Sequence, residues 1–141
     1  MITADRSTWP TATPDRPNAK LWQVAHAIAI AEGYYQPDSN LFRLNNPGDI
    51  SDGYLTFGGE HHSGSNVTHF PDALTGWQWL YDKLNRIAQG KSSVYSPEMT
   101  WRELGEKWAG DSKDWVANVT RELEVDPQFS FGSYITNEPA L

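Results

Sequence analysis

The carboxylates offer the clearest chemistry in this sequence, and Glu32 comes first among them. Leu21, Ala25, Ile28 and Glu32 are spaced four, three and four apart, so a helix brings them onto one stripe. The first three are apolar and require a buried face. Glu32 then stands on or beside that face, one residue before Gly33, a residue suited to ending the helix in a left-handed cap. A carboxyl at the rim of an apolar face has its pKa raised, because desolvation disfavours the charged form. A carboxyl still protonated near neutral pH can act as a general acid. The competing reading is a last-turn side chain whose head reaches water.

Glycosidic cleavage uses a protonated acid beside the leaving oxygen, and often a second carboxylate about 5–9 Å away. Asp49, Asp52, Glu60 and Asp72 all fall in the region expected to face Glu32. Asp49 is the best placed of these, directly after the Asn45-Asn46-Pro47-Gly48 turn. Its competing role is to bond backbone amides within that turn. Asp52 is accounted for by a hairpin turn and Asp72 by helix capping. Tyr34 and Tyr35, just past the acid, are expected sugar contacts. Trp79 lies off the core-facing stripe that contains Trp77 and offers a stacking surface.

Other constellations are weaker. His61, His62, His69 and Glu60 lack the spacing of a zinc site, and solvated loop histidines explain them. His26 lies six residues from Glu32, about 240° round a helix, so the two are not expected to pair. Ser63, His69 and Asp72 can be grouped on paper, but no Gly-x-Ser-x-Gly elbow is present. No cofactor and no metal are expected.

These residues need elements to hold them. Asn18 is placed to cap a helix ending at Gly33. The turn formers over 45–49 lead into a hairpin in which Ile50-Ser51 and Tyr54–Phe57 flank Asp52-Gly53. Val67–Phe70 is a third short strand. Leu74, Trp77, Tyr81, Leu84 and Ile87 mark a helix capped by Asp72. Thr100-Trp101-Arg102-Glu103 is a capping box. Trp115, Val119 and Leu123 align on a further helix. The fold class is therefore α+β: mostly helical, with a small antiparallel three-stranded sheet after the first core helix. Residues 1–17, broken by Pro10, Pro14 and Pro17, are expected as a flexible tail, and 18–141 as a single domain.

Composition narrows the partners. A chain of 141 residues fits one domain with a modest core. The net charge of −7, without a Lys/Arg run, argues against nucleic acid as the main partner. Cysteine is absent, so disulfides and thiolate metal sites are excluded. No apolar run approaches the ~20 residues of a membrane span. The first ten residues show no signal-peptide pattern; the expectations are another export route, residence inside, or a piece of something longer. The surplus of Trp and Tyr suits a groove for flat-faced ligands.

Several blocks together resemble a known group: Ala-Ile-Ala-Ile-Ala-Glu-Gly-Tyr-Tyr at 27–35, Asn-Asn-Pro-Gly-Asp-Ile at 45–50, Phe-Pro-Asp-Ala-Leu-Thr-Gly-Trp at 70–77, and the Trp-bearing stretches at 99–111 and 115–119. They look like bacterial and phage lysozyme-like proteins, relatives of goose-type lysozymes and soluble lytic transglycosylases. The resemblance spans roughly residues 20–126. It departs from the usual transglycosylase pattern in having Gly33 where serine follows the glutamate, and in the turn at 45–50. It implies a lysozyme-like fold and peptidoglycan glycan strands as substrate, cut between N-acetylmuramic acid and N-acetylglucosamine. Glu32 would be the general acid and base. The expected glycan contacts are Tyr34, Tyr35, Asn45, Asn46, Asp49 and Trp79. The nucleophile stays open between water and the sugar's own 6-hydroxyl. Such a protein would act on the cell wall, as a monomer or within a larger assembly. The alternative is a non-catalytic glycan-binding or phage structural module of the same shape.

Overall fold

The computed structural model of the chain describes residues 4–6, 9–51, 60–61 and 67–136. Its elements run α1 (Ala19–Glu32), α2 (Asn40–Arg43), β1 (Glu60–His61), β2 (Thr68–His69), α3 (Ala73–Ala88), α4 (Trp101–Trp108), α5 (Ser112–Leu123) and α6 (Phe131–Ile135). The fold is mostly helical. None of the described helices is long and apolar enough to cross a membrane.

Helix α1 is the centre of the molecule. Asn18 Oδ1 accepts from the amides of Lys20 and Leu21 at 2.9 and 3.2 Å, which satisfies two of the donors left over at a helix start. Gly33 ends the helix at φ 85°, and its amide returns to the carbonyls of Ala29 and Ile30. The expected stripe of Leu21, Ala25 and Ile28 is fully buried, but so are Val24, Ala27 and Ala29. Gln23 stays exposed, but the apolar positions spread over most of the circumference and are enclosed there, and the alanines let the neighbours come close. Helix α5 packs along it most extensively, with α3 on another side.

The other helices follow their local signals. Asp72 Oδ1 accepts from Thr75 N at 2.7 Å and starts α3. Thr100 and Glu103 form the reciprocal capping box of α4, at 3.0 and 3.1 Å. Gly105 lets α4 and α5 meet: a Cβ there would lie 2.4 Å from Val116 Cγ2 and 2.9 Å from Trp115 Cε3.

Two expectations differ from what the described residues show. The three-stranded sheet is not seen among the described residues. There β1 and β2 pair antiparallel, with Glu60 opposite His69 and His61 opposite Thr68. The hairpin expected over 50–57 lies outside the described residues beyond Ser51. Ile50 O does accept from Thr68 N at 2.9 Å, so the chain at 50 runs beside β2. The second concerns the expected tail. Its described residues form no helix or strand, yet they are fastened to the body. The Trp9 ring stacks on His26 with centroids 4.5 Å apart. Arg16 O accepts from Trp22 Nε1 at 3.0 Å, and the Arg16 guanidinium holds Asp82 at 3.0 and 2.8 Å. The prolines set an extended path, while Trp9 and Arg16 supply anchors whose partners lie far along the chain.

Candidate active site

The turn at 45–49 is where sequence chemistry becomes geometry. Asn45 and Asp49 both adopt left-handed backbone, at φ 55° and 54°. Asn and Asp tolerate this better than most residues. Between them Asn46 is fully buried. Its Nδ2 donates to the carbonyls of Ile50 and Thr68 at 2.8 and 2.9 Å, and its Oδ1 accepts from Ile50 N at 2.9 Å. Asn46 therefore satisfies three buried backbone groups at once. Asn45 Nδ2 donates to Phe70 O at 3.0 Å. Gly48 lies against Leu80, whose Cδ1 would be 2.7 Å from an added Cβ. Every residue of the turn is thus committed to shape, except the side chain it ends on.

That side chain is Asp49, and its carboxyl meets Glu32. Glu32 is half-buried at the end of α1. Its pKa is pushed up to about 8, first by desolvation, then by the Asp49 charge, with a hydrogen bond shared with Asp49 adding to the rise. The Trp115 indole Nε1 donates to Glu32 Oε2 at 3.0 Å and acts the other way, because it favours the ionised form. Asp49 is raised as well, by desolvation, with the hydrogen bond from Glu32 opposing. Solvent reaches Asp49, but protein surrounds it widely enough to disfavour its charge. Two neighbouring carboxyls cannot both ionise easily, so the charge of Asp49 helps to keep the proton on Glu32.

Two indoles hold this pair. Trp115 is buried on α5 and fixes Glu32 directly. Trp108, at the end of α4, donates from Nε1 to Gly48 O at 3.2 Å and so fixes the turn that carries Asp49. The two rings stack at 6.0 Å and 30°. Neither was expected at the site. Trp108 and Trp115 read as core residues on their own helices, and the link from Trp115 to Glu32 spans 83 positions. No local pattern reveals such a contact.

The other expected glycan contacts fall elsewhere. Tyr34 and Tyr35 are buried, at 3 and 8 % exposure. Tyr34 packs edge-on against Trp77 and Phe42, and the Tyr35 hydroxyl bonds His26 Nδ1 at 2.9 Å. They close the core past α1, because the Gly33 cap turns the chain inward there. Asn45 and Asn46 are taken up by backbone groups, as above. Trp79 is half-buried and lines a cavity with Lys83, Arg86 and Tyr95, on a different face of α3 from Trp77. The structure therefore brings Glu32 and Asp49 together, while Tyr34 and Tyr35 line a separate cavity with Phe42 and Trp77, and Asn45 and Asn46 bond backbone groups. Comparison of the chain with protein-family models, with curated proteins and with solved structures finds no match.

Proposed function

We propose that the chain is a peptidoglycan-cleaving glycosidase of lysozyme-like type, with Glu32 as its general acid. The observation that carries this is the Glu32 carboxyl, held with a pKa of about 8 beside Asp49. A group with that pKa keeps its proton at neutral pH and can give it to the bridging oxygen as the bond to C1 breaks. The substrate class rests on the resemblance of the Glu32-Gly33 and 45–50 blocks.

The contact between the carboxyls bears on the nucleophile. A water-directing carboxylate stands about 6.5–9.5 Å from the acid, and a protein nucleophile about 5–5.5 Å. Asp49 acts on Glu32 closely enough, through its charge and a shared hydrogen bond, to raise the Glu32 pKa. It keeps the proton on Glu32 in the resting protein. The sugar cation would then be met by the substrate's own groups. Its acetamido oxygen comes first, and then the 6-hydroxyl, deprotonated by the ionised Glu32, closes an anhydro ring. With Asp49 read as the group that keeps the acid protonated, the transglycosylase outcome fits this reading better than directed water attack.

A purified glycan strand tests this reading. Wild type should release products with anhydro ends, read by mass. Glu32→Gln should lower the rate by about a hundredfold or more, the usual contribution of a general acid, and still bind the wall. Equal cleavage by both proteins removes Glu32 from the chemistry. Reducing ends in place of anhydro ends would return the second step to water.

A further inference from the structure

We infer that Trp108 is a positioning residue for the acid pair: its indole N–H holds the peptide group from which Asp49 is aimed at Glu32. The bond runs from Trp108 Nε1 to Gly48 O at 3.2 Å, and Gly48 O belongs to the peptide that continues into Asp49 N. That peptide has reason to turn away. On one side, glycine gives it rotational freedom. On the other, Asp49 sits at φ 54°, a left-handed torsion that is uphill for a residue with a Cβ. The peptide's own N–H gives little resistance, since Asp49 N reaches Asn46 O at 3.5 Å, the long limit of such a bond. The indole therefore supplies the firmer of these two bonds.

Two other elements hold Trp108 in turn. Trp115 of α5 stacks on it with centroids 6.0 Å apart, and Lys83 Nζ of α3 lies 4.6 Å from its centroid. Stacking and the attraction of a cation to the ring both fix the tilt of the indole, and with it the direction of its N–H. The two carboxyls are thus set by neighbouring rings. Trp115 bonds Glu32 directly, whereas the N–H of Trp108 is spent on Gly48 O and acts on Glu32 through Asp49. The two indoles pull the proton in opposite senses. Trp115 favours the ionised Glu32, while Trp108, by keeping the Asp49 charge close, favours the protonated form.

Glu32 as the acid is the premise, and a titration tests the coupling apart from cleavage. The Glu32 midpoint, followed by carbon-13 NMR, and the alkaline limb of the pH–rate profile would be compared in wild type, Trp108→Phe, Asp49→Asn and the double variant. Trp108→Phe keeps a ring and loses the donor. It should lower the midpoint and move the limb to lower pH, with kcat/KM falling about three- to tenfold, the worth of one hydrogen bond. Asp49→Asn should lower the midpoint as well, and Trp108→Phe added to it should lower it no further. If the phenylalanine variant folds poorly, benzothienylalanine at position 108 takes its place. It keeps the bicyclic ring, exchanges only the N–H for sulfur, and should give the same pattern. An unchanged midpoint overturns the inference. So does an equal drop with and without the Asp49 carboxyl, which would mean that the indole only shields Glu32 from water. The expected pattern in a protein that cuts nothing would sink the enzyme reading and leave the coupling standing.

Discussion

At the level of single residues, the proton on Glu32 is set by three influences that substitution can separate. Desolvation raises its pKa, Asp49 raises it further, and Trp115 lowers it. An acid works only while protonated, so activity should hold up to about pH 8 and fall above it. Asp49→Asn removes a neighbouring charge, so this limb of the pH–rate profile should move to lower pH. Trp115→Phe removes a donor to the ionised form, so the limb should move to higher pH. Trp115→Phe should also reduce kcat/KM by up to about a hundredfold, since a loosened carboxyl is a misplaced one. Opposite shifts from two neighbours are hard to produce by general damage to the fold. Shifts in the same direction would mean that the carboxyl environment is wrongly described. Glu32 itself was legible in the sequence, because its spacing from Leu21, Ala25 and Ile28 put an acid on a buried stripe. The surroundings of Tyr34, Tyr35, Asn45 and Asn46 were not, since residue type announces a polar or aromatic group but not which neighbours it will meet.

At the level of elements, the 45–49 turn and its contact with α3 decide whether Asp49 arrives. Gly76 on α3 packs on that turn so closely that an added Cβ would sit 1.8 Å from Asn45 O. A backbone carbonyl cannot swing aside as a side chain can. Gly76→Ala should therefore cost about 2–4 kcal/mol of unfolding free energy, read from denaturant midpoints, and should lower activity beyond its effect on folding. A neutral outcome would mean that the turn has room to shift. The helix starts at Asn18, Asp72 and Thr100 were readable because a cap is local: the side chain bonds an amide two or three residues on. The breadth of burial around α1 was underestimated for a related reason. Alanine is acceptable on an exposed or a buried face, so the sequence marked one stripe where the packing buries most of the helix surface.

For the whole molecule, the N-terminal segment extends the core rather than trailing from it. Its anchor is His26, buried between Trp9 and Tyr35, with Glu122 Oε2 3.9 Å from Nε2. Burial, with Arg6 nearby, holds the His26 pKa down to about 4 from the usual 6.5. The unfolded chain therefore binds a proton between these values that the folded one does not. Stability is full above pH 6.5 and falls as pH drops toward 4, by on the order of 3 kcal/mol from this group. His26→Gln should flatten the loss of melting temperature over that window; an unchanged slope would place the acid sensitivity elsewhere. The proline pattern gave the path of this segment but not its attachments, which depend on residues as distant as Asp82.

The central claim is that the fold keeps one carboxyl protonated at neutral pH, and a single titration addresses it. Glutamate side-chain carboxyls labelled with carbon-13 can be followed by NMR from pH 3 to 10, with Glu32→Gln assigning the resonance. A Glu32 midpoint near 8, sensed also by Asp49, is the predicted result. A midpoint near 4.5, the ordinary value for a glutamate, would contradict it and leave Glu32 as an ionised helix-end residue.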